Sequence, residues 1–151
     1  MKSQSKGFSV VELLIVVIFI GVLAAIAVPR LNFAAITKQK ADTVARKMVT
    51  DLRRTRTLAI SDAANNTQGY RLDMTGSSPY AGYTIENIDT SAVIDTHTIS
   101  SDIACTGGSA FDFGPLGNLQ SASTQLTFTV TGKSFTIDII PATGMVKCTE
   151  N

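Results

Sequence analysis

The sequence predicts an α+β chain: a long N-terminal helix, half membrane-embedded and half amphipathic, packed on an antiparallel β-sheet head. Three observations predict it. An apolar run occupies residues 8–28. Helical periodicity continues to about residue 64, and short alternating strands separated by turn residues fill the remainder. At 151 residues the chain fits one compact domain plus one membrane element.

The apolar run reads FSVVELLIVVIFIGVLAAIAV, 21 residues. At about 1.5 Å rise each, such a helix matches a hydrocarbon core of about 30 Å. Lys2 and Lys6 precede the run. By the positive-inside rule they hold the N-terminus in the cytoplasm and send residues 30–151 outward. A secretory signal peptide is the competing reading, with Ala25-Ile26-Ala27 as its cleavage site. The run is longer than an ordinary signal core, and it holds Glu12. A carboxylate inside a membrane segment costs at least about 2.5 kcal/mol, so Glu12 marks a function and needs a partner. Gly21 and Pro29 bracket the distal part of the span. At Pro29 a lost hydrogen bond permits either a membrane-exit kink or local unwinding.

Residues 30–64 form the amphipathic half. Ala41, Val44, Ala45, Met48, Val49, Leu52, Leu58, Ala59 and Ile60 recur near helical spacing. Lys40, Asp42, Arg46, Lys47, Asp51, Arg53 and Arg54 are assigned to the other surface. Asn65-Asn66 supplies the stop. In the head, 65–151, alternation marks strands at 70–74, 83–88, 93–99, 111–113, 126–130 and 135–140, while 74–82 and 100–125 read as loops. Thr131-Gly132-Lys133 and Pro141-Ala142-Thr143-Gly144 turn the chain twice, so residues 126–148 read as a three-stranded antiparallel meander.

Charge divides the chain. Residues 1–56 carry ten Lys/Arg against three Asp/Glu, and from residue 57 onward three basic residues face nine acidic ones. An acidic head disfavours nucleic acid as a partner. The cluster Arg53-Arg54-Thr55-Arg56 reads as a solvated helix face or as a contact to acidic heads of adjacent copies. Cys105 and Cys148 lack the short spacings of a metal site. If the head is exported they form one disulfide, worth about 2–4 kcal/mol; two buried free thiols are the alternative. His97, the sole histidine, sits in a Thr/Ile strand with no nucleophile motif beside it and reads as a surface residue. No enzyme activity, cofactor or metal is expected.

Lys6-Gly7-Phe8-Ser9-Val10-Val11-Glu12-Leu13-Leu14 resembles the prepilin cleavage motif of the type IV pilin and pseudopilin superfamily. The resemblance implies a leader, 1–7, removed after Gly7 by a membrane prepilin peptidase, which then methylates the new N-terminal Phe8. It implies a transmembrane and assembly helix, 8–29, and a structural subunit of a type IV pilus or type II secretion pseudopilus. Such a subunit sits in the bacterial inner membrane with its head in the periplasm, then in a filament. Its partners are other pilin or pseudopilin subunits, membrane lipid and the assembly platform. Phe111-Asp112-Phe113-Gly114-Pro115-Leu116-Gly117 and the segment 51–61 resemble the minor pseudopilin H and minor pilin T group. A major pilin and a DNA-binding minor pilin are the alternatives. Against the latter, Met145 stands where DNA-binding members are basic, leaving only Lys147.

Overall fold

The structure is a computed structural model that describes residues 9–27 and 33–151. They fall into two units, 1–33 and 34–151. In the first, α1 runs Val10–Ala27. The amides of Glu12 and Leu13 donate to the Ser9 carbonyl, which makes Ser9 the N-cap and Glu12 the third helical residue. This is the Ser-x-x-Glu order of a capping box, with an acid where the helix dipole favours one. Gly7, Phe8 and Pro29, and with them the expected cleavage site and kink, lie outside the described residues.

α2 runs Phe33–Ser61, all but its first residue in the second unit. Ala41, Ala45, Met48, Leu52, Thr55 and Ala59 are all fully buried, alternating steps of four and three. The helix ends three residues before its expected stop, in a turn organised by Asn66. The Asn66 side chain accepts from the amides of Gln68 and Gly69 and donates to the Gly69 carbonyl, and it is itself buried. Ile60, expected on the apolar stripe, is exposed. Asp51, expected on the solvent face, is buried.

Eight strands follow: β1 Tyr70–Thr75, β2 Gly82–Asn87, β3 Val93–Thr98, β4 Ala104–Gly107, β5 Ala110–Phe113, β6 Gln125–Val130, β7 Lys133–Ile140 and β8 Met145–Glu150. They form two four-stranded sheets, in the orders β3-β2-β1-β5 and β4-β6-β7-β8, with antiparallel pairing throughout. The expected meander is β6-β7-β8, in the register Leu126↔Ile137, Phe128↔Phe135 and Ile137↔Cys148. Its first turn needs only Thr131-Gly132, with Gly132 at φ 79°. β4 was not expected, because its sequence, Ala-Cys-Thr-Gly, carries little strand propensity. It forms because β6 offers an edge, with Cys105 opposite Phe128. One buried cluster joins the α2 stripe to Leu72, Ile85, Phe111 and Phe113 of the first sheet and Leu126, Phe128, Phe135 and Ile137 of the second.

Candidate functional site

On α1, Val10, Val11, Leu13, Phe19 and Leu23, which between them look in every direction around the axis, are all more than half exposed. A helix apolar on every side is stable only when lipid or other helices cover it. Its 18 residues span about 27 Å, and the apolar sequence continues through Phe8 and Val28. Among the described residues no helix is long and apolar enough to cross a membrane. Glu12 is exposed at the start of this helix, and no side-chain partner holds it among the described residues. Gly21 has open space where a Cβ would sit, so nothing among the described residues requires glycine there.

The expected Cys105–Cys148 disulfide is not formed: both thiols are free, Cys105 buried and Cys148 exposed. They stand on β4 and β8, the opposite edges of one sheet. Three strand spacings of about 4.8 Å separate them by about 14 Å, whereas a disulfide requires Cα atoms within about 7 Å. Burial pushes the Cys105 thiol up to about 12, keeping it protonated and inert. Burial also raises Cys148, opposed by nearby Arg46.

The polar cluster of the head lies where α2 meets β2 and β3. Asp51 accepts from Tyr83 Oη at 2.6 Å and from Lys47 Nζ at 2.9 Å. Arg54 Nη1 donates to Asp95 Oδ2 at 2.6 Å, and this bond holds the Asp95 carboxyl below its usual range. Burial, then the bond to Asp51, pushes the Tyr83 phenol far up. His97 packs its ring against Tyr83 with centroids 5.1 Å apart. Its Nε2 lies 3.3 Å from Asp95 Oδ2 and 3.5 Å from Asp51 Oδ2, yet is aligned with neither and makes no hydrogen bond. His97, expected as a surface strand residue, stands on the terminal strand β3 with its side chain 26% exposed and its Nε2 covered. Two cations already balance the two carboxylates, so the cluster is chemically a clamp between helix and sheet edge. Among the described residues no group of three or more His, Cys, Asp or Glu is arranged to hold a metal.

The arginine run divides its work. Arg54 reaches β3 through Asp95. Arg53 Nη2 donates to the Val146 carbonyl on β8 at 3.1 Å, and Arg56 Nε donates to the Gly117 carbonyl at 3.0 Å. Gly144, at φ 62°, lets its turn close over that bond, since a Cβ there would stand 2.0 Å from the Gly117 oxygen. Missed from the sequence were Asp51 and Tyr83. For Asp51 the signal was available: on the helical wheel it lies beside Thr55, at the flank of the buried stripe.

No family model, curated protein or solved structure matches the chain.

Proposed function

We propose that the chain is a filament subunit of type IV pilin type, a minor pilin or pseudopilin processed by prepilin peptidase, with α1 as its membrane and assembly element. The observation that carries this reading is α1 itself: an apolar helix exposed on every side, with a lone glutamate in its first turn, on a chain whose head buries its own separate core. Lipid covers such a helix before assembly and neighbouring copies cover it afterwards. Cleavage after Gly7 leaves the α-amine of Phe8 as a cation at the start of this helix. Glu12 of a neighbour at nearly the same depth offsets it, which penalises a subunit entering at the wrong height.

Two measurements test this. Intact mass of membrane-extracted protein should show a start at Phe8 carrying one methyl group; a start at Val28 would mean a secretory signal instead. Glu12→Ala should leave processing and membrane level unchanged, because it removes an insertion cost of about 2 kcal/mol or more. Recovery in sheared filaments should fall, and wild-type recovery would sink the assembly role of Glu12.

A further inference from the structure

The described residues include five arginines, and three of them hold a carboxylate: Arg46 pairs with Asp42, Arg54 with Asp95 and Arg71 with Asp112. Arg53 and Arg56 pair with none among the described residues. Each instead gives one N–H to a backbone carbonyl, Arg53 Nη2 to Val146 and Arg56 Nε to Gly117, at 3.1 and 3.0 Å. These bonds fix both guanidiniums, and a guanidinium bonded once keeps further N–H donors to spare. Arg53 and Arg56 lie one turn apart on α2 and line the same pocket, of about 440 Å³, together with Thr57 and residues 143–146 at the turn into β8.

No carboxylate lines this pocket. The acids along β8 are engaged elsewhere: Asp42 holds Arg46, Glu150 holds Lys133, and Asp138 accepts from Gln125 and stands opposite Lys147 in the register. The pocket is therefore left with two cations and no anion. Thr143 Oγ1 accepts from the Met145 amide, which leaves its hydroxyl proton for a ligand oxygen. Past Arg53, Met145 and Val146 the pocket continues into a groove of about 600 Å³, whose wall includes Val49 and Ile140. Fixed donors, positive charge and an adjoining apolar wall suit an anion that carries an apolar substituent.

We propose that this pocket binds a phosphate monoester, its phosphate between Arg53 and Arg56 and its organic group along Val49, Ile140 and Met145. A phosphate monoester carries a charge of about −1.5 to −2 near neutral pH, which matches both guanidiniums. One carboxylate, or one phosphodiester, carries a single charge and leaves a cation unmatched. Planar arginine forks also fit phosphate oxygens two at a time. The charge match separates such a ligand from a nucleic-acid backbone, which the acidic head disfavours. The pocket is built from head residues alone and does not depend on the filament reading.

The test uses the full-length chain in neutral-detergent micelles, with phenyl phosphate as the probe, titrated by calorimetry at fixed ionic strength. A single molecule should bind per chain, and inorganic phosphate should bind more weakly because it lacks the apolar group. Dimethyl phosphate and acetate, both monoanions, should bind about tenfold or more weaker than phenyl phosphate. Arg53→Gln and Arg56→Gln should each weaken phenyl phosphate about tenfold. Lys147→Gln should leave its affinity within about twofold, since an exposed cation outside the pocket acts only through screened attraction. Arg53→Lys keeps the charge and loses the fork; it should weaken binding by a similar factor, and it stands in for any glutamine variant that fails to fold. No binding by the wild-type chain overturns the proposal. Equal affinities for phenyl phosphate, dimethyl phosphate and acetate overturn it too, as does an equal loss in Lys147→Gln, because each means charge attraction without a site.

Discussion

At Asp51 a carboxylate is buried in a helix face otherwise occupied by Met48, Leu52 and Thr55, and this is tolerated because each oxygen has its own donor. Removing one member of a buried polar pair leaves the other desolvated, which costs far more than the pair contributes. Asp51→Ala should therefore destabilise the head by about 3 kcal/mol, whereas Tyr83→Phe should cost about 1 kcal/mol because Lys47 still neutralises the carboxylate. Urea denaturation of each variant checks this; a loss below about 0.5 kcal/mol for Asp51→Ala would place it among ordinary surface substitutions. That a carboxylate would be buried here could be read from its wheel position, but its partner Tyr83, 32 residues away, could not. Helical spacing reports which way a side chain points, and only the tertiary fold supplies the donor waiting there.

Among the elements, those with strong local periodicity were legible and those created by their neighbours were not. β6 and β7 alternate apolar and polar residues, and the Thr131-Gly132 link leaves one sensible register. α2 ends near Asn65-Asn66 because the Asn66 amide and carbonyl satisfy the turn, a role expected of that residue type. β4 has no such pattern, and missing it removed the strand that fixes Cys105. With β4 on one edge of the sheet and β8 on the other, the cysteines behave independently. A maleimide applied to the folded, unreduced protein should label Cys148 alone, and unfolding without reductant should expose Cys105 to the same reagent. Resistance of both thiols until a reductant is added would restore the disulfide. Raising the pH should speed Cys148 labelling well before Cys105 reacts, because burial holds the Cys105 thiol near 12.

On the scale of the whole molecule, the two units place opposite demands on solvent. The described buried cluster draws its residues from positions 41 to 146, so the head's stability comes from within the head. α1 offers the reverse, a helix whose apolar side chains remain exposed. Both demands were legible in the sequence, since an unbroken apolar run and a charged amphipathic stretch differ in composition before any fold is formed. The strand orders of the two sheets were not, because they follow from long-range pairing. The division predicts that a fragment comprising residues 34–151 is soluble without detergent and unfolds cooperatively, with the circular dichroism of one helix and two sheets. The full chain should need lipid or detergent, because burying apolar surface contributes about 25 cal/mol per Å² and α1 finds no apolar partner within the described chain. Sedimentation in the absence of detergent separates the two cases. A fragment that aggregates or melts without cooperativity would mean that residues 1–33 contribute to the head's core, and α1 could not then be free for lipid or neighbouring copies.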